Sequence, residues 1–171
     1  MTWDPQLIYL QPGQMVVARA PAYIKTVLGS CLAITMRSAT GAIAAVSHCI
    51  LPEPSPGELP TSAAERAKYV DMCIPLMLQR LREAGADCTA LEVKVFGGAD
   101  NLRARGSELP YHVGQRNLET ALKILHASGL DPLVVEAGGS QGRVLVFYPG
   151  SGDAYLKQLP ENADRQLTEF L

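Results

Sequence analysis

An excess of charge of one sign is what this sequence most plainly lacks: 15 Lys and Arg stand against 17 Asp and Glu, a formal net charge of -2. Nucleic acids and anionic membranes are gripped through dense basic patches, so composition gives no reason to expect either as a partner. Only Arg80 with Arg82 and Arg103 with Arg105 cluster, and both pairs read as solvated surface. No stretch approaches the roughly 18 apolar residues of a membrane span. The opening "MTWDPQLIYLQPGQ" carries Asp4, Pro5 and Pro12 where a secretory leader would carry a basic segment and an apolar run, so no signal peptide is expected. CxxC spacing is absent as well. Cys31, Cys49, Cys73 and Cys88 stand apart, which argues against a disulfide framework and for four free thiols in a reducing compartment. Internal repeats are missing too. A soluble, cytoplasmic chain is the expectation, and 171 residues with 47% hydrophobic and 19% charged side chains suit one folded domain over 1–171.

What is present begins with strands. "QMVVARA" and "AYIKTVLG" flank Pro21, and "CLAITMRS" and "AIAAVSHCIL" flank a short turn. After the four-proline loop "LPEPSPGELP", the stretch "TSAAERAKYVDMCIPLMLQRLREAGA" turns helical, with Ala63, Ala67, Val70, Ile74, Met77, Leu81 and Ala84 at steps of three and four. Ser62 with Glu65 forms a capping-box start, Gly85 a stop, and Pro75 predicts a kink. "LEVKVFGG" reads as a strand. "GQRNLETALKILHASG" reads as a second helix with Leu118, Leu122 and Leu125 inward and Gly129 stopping it. Between them, "ADNLRARGSELPYHV" is long enough for a lid or docking loop. "DPLVVEAGGSQGRVLVFYPGSGDAYLKQL" gives three more short strands around glycine-rich turns, and the end, 160–171, is a polar tail or a helical turn. Strands outnumber helices without alternating with them, which predicts an α+β layered sandwich with a mixed or antiparallel sheet core and two main helices.

One hairpin carries the chemistry. "SATG" has Ser at the first and Gly at the fourth position of a reverse turn. Centring the hairpin on Ala39 and Thr40 pairs residues whose numbers sum to 79, and Cys31 then faces His48 directly. Opposed residues have Cβ atoms roughly 4.5 to 5.5 Å apart, within reach of a thiolate-imidazolium contact. Centring on Thr40 and Gly41 gives 81 and leaves the two as diagonal neighbours on one face. Only an odd slip would separate them.

A free thiol is mostly protonated at neutral pH, and the thiolate is the nucleophile. An imidazole beside it can take the proton and deliver it to a leaving group, which predicts that Cys31 reacts at a lower pH than an ordinary thiol. The Gly29-Ser30 turn can present backbone N–H groups to a developing oxyanion, and the Thr26 hydroxyl can orient His48. Two rival readings stand beside this one. Buried free cysteines are common, and a histidine near one proves little. Zinc could draw on Cys31, His48 and Cys49, yet adjacent strand residues point to opposite faces, so His48 and Cys49 should not share an ion. Cys73 and Cys88 read as packing or surface thiols, and His112 and His126 as loop and helix-end residues.

The blocks "TVLGSCLAI", "SHCILP", "KYVDMCIPLMLQRLREAGA", "VKVFGGAD", "VGQRNLETALKILHASG" and "EAGGSQGRVLVFYPGSG" resemble, in order, those of the chemoreceptor glutamine deamidase family, CheD. The resemblance runs from about Gly13 to Leu159. It implies a cysteine-hydrolase fold similar to that of bacterial toxin deamidases, with the nucleophile at Cys31, the histidine at His48 and a threonine at Thr26. It also implies conversion of particular glutamines of methyl-accepting chemotaxis receptors to glutamate with release of ammonia, through a thioester, with no metal or organic cofactor. The substrate would be a protein surface, met at a shallow site near the "LGSC" and "GGSQGR" turns. Some relatives also bind a CheC-type phosphatase of the response regulator CheY, so a regulatory binding module is a second reading. A general cysteine amidase or esterase is a third, drawn from the chemistry alone.

Overall fold

The computed structural model of the protein describes residues 4–100 and 112–160. In chain order the elements are β1 (Gln6–Tyr9), β2 (Met15–Arg19), β3 (Ala22–Leu28), β4 (Leu32–Ser38), β5 (Ile43–Cys49), α1 (Ala63–Arg66), α2 (Val70–Glu83), β6 (Leu91–Gly97), α3 (Val113–Ala127), β7 (Val134–Ala137), β8 (Arg143–Phe147) and β9 (Ala154–Gln158). The strands form two sheets, ordered β1-β3-β8-β9 and β2-β5-β4-β6-β7. Each is mixed: β1 with β3 and β6 with β7 run parallel, and the other pairs antiparallel.

Side-chain alternation sorts the layers. Leu32, Ile34 and Met36 of β4 and Ala45 and Cys49 of β5 pack with Val70, Cys73, Ile74 and Met77 of α2 and Ala121 and Leu125 of α3. The intervening residues Ala44 and Val46 meet Ile24 and Phe147 of the other sheet, as Ala33 meets Leu28 and Leu145. The α+β layered sandwich is therefore sheet on sheet on helices. The five-stranded sheet lies in the middle, which is why β5 is buried along its whole length and begins with the apolar run Ile43 to Val46.

Three local features depart from the sequence reading. The long helical stretch is two helices, because residues 67–69 leave the helix to serve the exit of β5: Lys68 O accepts from the Ile50 and Leu51 N–H groups, and Val70 N donates to Leu51 O. The Ser62–Glu65 capping box starts α1, while Pro75 sits inside α2 without ending it. On α3 the buried series is Gly114, Asn117, Ala121 and Leu125, with Leu122 exposed, since small residues let the helix approach the β6 end more closely than leucines would. Finally, β1 is an extra strand within the opening segment, paired with β3. The 101–111 part of the long loop, with Arg103 and Arg105, and most of the C-terminal tail lie outside the described residues. No described helix is long and apolar enough to cross a membrane.

Candidate active site

The 38–42 turn sets the register of the β4–β5 hairpin, and the sum is 81: Leu32 pairs with Cys49 and Ala33 with His48. The direct opposition of Cys31 and His48 is thus corrected to the diagonal arrangement. Thr40 and Gly41 centre the turn, and Ala42 takes a positive φ of 48° to close it. Cys31, one residue before β4, packs against Leu28, Ala33, Phe96 and Leu145 between the sheets. His48 enters the same interlayer space, while Cys49 turns to the helix side against Cys73. The two candidates share a face, and His48 and Cys49 do not.

His48 is held from both ends. Its backbone is clamped by β2's approach, with Gly13 N donating to His48 O at 2.7 Å and His48 N donating to Gln14 O at 2.8 Å. Its ring meets the other sheet, where Thr26 Oγ1 lies 2.7 Å from Nδ1. The same hydroxyl donates to Leu10 O at 2.8 Å. A hydroxyl has one proton, so with that proton on Leu10 the Thr26 oxygen accepts from Nδ1–H. This fixes the tautomer that leaves Nε2 unprotonated, the form a general base requires. Thr26 is fully buried, whereas its neighbour Lys25 is exposed on the opposite face of β3.

Burial works against a resting ion pair. Burial pushes the Cys31 thiol up to about 11, the nearby Cys49 thiol adding to the rise and the Cys31 backbone N–H opposing it. Burial pushes the His48 imidazole down to about 4, with the Leu10 carbonyl pulling the other way. Burial thus favours the neutral form of each group at pH 7. A neutral pair favours proton transfer together with attack over transfer ahead of it.

The turn before the nucleophile is anchored by its carbonyls. Gly29 O accepts from Ala99 N at 2.9 Å, Cys31 O from Gly98 N at 2.8 Å, and Ser30 O from Asn117 Nδ2 at 3.0 Å. Gly97, at φ 102°, passes so close that a Cβ there would stand 2.3 Å from Cys31 O. The "GGSQGR" turn lies alongside. Leu28 pairs with Arg143, whose buried guanidinium ties together the carbonyls of Glu136, Gly138 and Gln141. Sequence reasoning missed Asn117 and Gly97. A polar residue on the buried stripe of a helix and a double glycine ending a strand were the available signals.

The remaining thiols and histidines lie elsewhere. Cys88 is half-buried with Sγ 3.7 Å from Ala86 O, His126 is exposed beside Asp131, and His112 caps α3 at 3.4 Å from Asp100. Among the described residues no three His, Cys, Asp or Glu side chains are grouped to hold a metal ion.

Known proteins resemble the chain over most of its length. Residues 50–158 match the family model described as CheD chemotactic sensory transduction. A probable chemoreceptor glutamine deamidase CheD 2 of Geobacter sulfurreducens is 37% identical over 152 residues, 89% of each chain. The chain belongs to the CheD family. A further member, the probable chemoreceptor glutamine deamidase CheD of Maridesulfovibrio salexigens, is 34% identical over 163 residues, 93% of this chain and 95% of its own. A third, CheD 1 of Anaeromyxobacter dehalogenans, is 33% identical over 153 residues, 89% of this chain and 84% of its own. The family-model match begins two residues after His48. The match therefore does not include Thr26, Cys31 or His48.

Proposed function

We propose that this chain is a protein-glutamine deamidase of chemoreceptors, with Cys31 as nucleophile, His48 as general base and acid, and Thr26 orienting His48. The observation that carries the reading is the Leu10–Thr26–His48 chain of hydrogen bonds, which readies one ring nitrogen as a base on the face where Cys31 lies. The printed names of the relatives supply the substrate class.

In the reaction, Cys31 Sγ attacks the side-chain amide carbon of a receptor glutamine while Nε2 takes the thiol proton. The amide oxygen becomes an oxyanion, met by the N–H groups of the Gly29–Cys31 turn. The C–N bond then breaks as Nε2–H protonates the nitrogen, which leaves as ammonia. Water, deprotonated by the same nitrogen, attacks the thioester carbon; the C–S bond breaks, glutamate is released, and Cys31 regains its proton. The residues present account for each proton without a metal or organic cofactor.

We also read 1–171 as one domain working in the cytoplasm, a placement supported by four cysteines that are all free thiols. Incubation with a purified chemoreceptor cytoplasmic fragment tests the reading: mass spectrometry should find a gain of about one dalton at discrete glutamines, from exchange of an amide NH2 for OH. A fragment unchanged after prolonged incubation with active-site-competent protein would overturn it.

A further inference from the structure

We infer that Asn117, on α3, is a positioning residue that turns the Cys31 backbone N–H toward the substrate and so builds the oxyanion site. The inference rests on Cys31 being the nucleophile.

Asn117 is fully buried. Its Nδ2 donates to two carbonyls from different parts of the chain, Ser30 O at 3.0 Å and Ile50 O at 3.1 Å. One belongs to the residue before Cys31, and the other lies two residues beyond His48. Two carbonyl acceptors admit only the NH2 end of the side chain, so the amide orientation is unambiguous. The opposite end, Oδ1, is buried without a hydrogen-bond partner. A buried acceptor left unmatched costs stability, and an apolar residue of similar size would avoid that cost. The fold keeps the asparagine for what its NH2 does.

A trans peptide is planar, so its C=O and N–H point in opposite directions. Holding Ser30 O inward on Asn117 therefore aims the N–H of Cys31 outward. Ala99 does the same for the preceding peptide, holding Gly29 O and aiming Ser30 N–H away from the β6–α3 segment. Among the described residues neither the Ser30 nor the Cys31 N–H donates to a backbone carbonyl. The Cys31 N–H belongs to the residue that carries the sulfur, so this donor stands beside the atom that attacks. Ala99 holds its peptide by a backbone bond that any residue would make. Asn117 is the side chain on which the other peptide depends.

The experiment compares Asn117→Ala and Asn117→Asp with wild type in three assays: deamidation of a receptor fragment, alkylation of Cys31 by iodoacetamide, and thermal denaturation. Alkylation needs the sulfur and no oxyanion site, whereas amide attack needs both. The expected result is a kcat about 10²-fold lower for Asn117→Ala, in the range for loss of one oxyanion donor, with KM and alkylation rate changed by less than about threefold. Asn117→Asp has nearly the same volume. It should recover part of kcat at low pH, where a protonated carboxyl can donate one bond to Ser30 O. Unchanged kcat, or kcat and alkylation falling together in both variants, would overturn the inference and leave Asn117 a packing residue. Cys31→Ala run alongside separates the two levels: activity retained there removes the nucleophile assignment itself, whatever Asn117 does.

Discussion

Thr26 Oγ1 lies 2.7 Å from His48 Nδ1 and 2.8 Å from Leu10 O, and the second contact dictates the direction of the first. Thr26→Val keeps the shape and removes the hydroxyl. The buried Nδ1–H and Leu10 carbonyl then lose their partner, which should cost about 1 to 3 kcal/mol of stability. The ring also loses its tautomer preference, and kcat should fall by about 10- to 10²-fold, as when an imidazole's supporting partner is removed in other sites. Thr26→Ser should restore most of both. Nitrogen chemical shifts of the His48 ring check the tautomer directly: a protonated Nε2 in the wild type would contradict the relay.

Cys31→Ala should abolish deamidation, because the other thiols are displaced from the site. Cys49 points to the helix layer, Cys73 is buried in it, and Cys88 lies beyond α2. His48→Ala should leave a rate lower by about 10² to 10⁴, the usual worth of positioned acid-base assistance. Both rates are read by mass spectrometry of a receptor fragment, with circular dichroism to confirm the fold. Near-wild-type turnover by Cys31→Ala would remove Cys31 as the nucleophile.

Much of this site was legible in the chain because strand pairing is arithmetic. A tight turn centred on Ala39-Thr40 or on Thr40-Gly41 leaves Cys31 and His48 on one face, and the choice between the two registers went with a positive φ at Ala42 that composition does not reveal. Layer order was less legible. β4 and β5 are buried on both faces, so their patterns do not say which side meets helices and which meets the other sheet. The Thr26–His48 contact crosses between sheets, beyond the reach of hairpin arithmetic, and Thr26 could be named only from its place just upstream of Cys31. Asn117 is similar: its partners are 87 and 67 residues away in sequence, so its purpose appears only once the chain is folded.

Gly97→Ala should damage the nucleophile turn without touching a reacting atom. The position has φ 102°, and an added Cβ would meet Cys31 O at 2.3 Å, far inside contact distance and against backbone that cannot rotate away. The substitution should lower the denaturation midpoint by the equivalent of at least about 1 to 3 kcal/mol, the usual cost of a non-glycine residue in such a conformation. Deamidation should fall even at temperatures where the variant is folded, since Gly98 N must also move from its bond to Cys31 O. A variant with wild-type stability and turnover would mean that the β6–Cys31 approach is looser than the structure has it.

The pH dependence follows from two opposed shifts. His48 is nearly fully buried, and its imidazole is lowered from 6.5 to about 4. On acidification the unfolded chain takes this proton first, so between pH 6.5 and 4 the unfolded state binds more protons and stability falls as pH falls. The whole effect is on the order of 3 kcal/mol, from 1.36 kcal/mol per pKa unit. It should be visible between pH 6.5 and 5, before most carboxylates titrate, as a drop in the urea midpoint. His48→Gln, which cannot titrate, should flatten that drop. Activity follows the same group: the base is already neutral at pH 6, so the acid limb of kcat/KM should lie near pH 4 to 5 rather than at the ordinary histidine value. The Cys31 thiol, raised to about 11, moves the opposite way. Alkylation of the free enzyme should keep rising past pH 9, because no preformed thiolate exists to saturate earlier. An alkylation plateau below pH 8.5 together with an acid limb near 6.5 would establish a resting thiolate-imidazolium pair, and the concerted proton transfer drawn from the neutral pair would have to be abandoned.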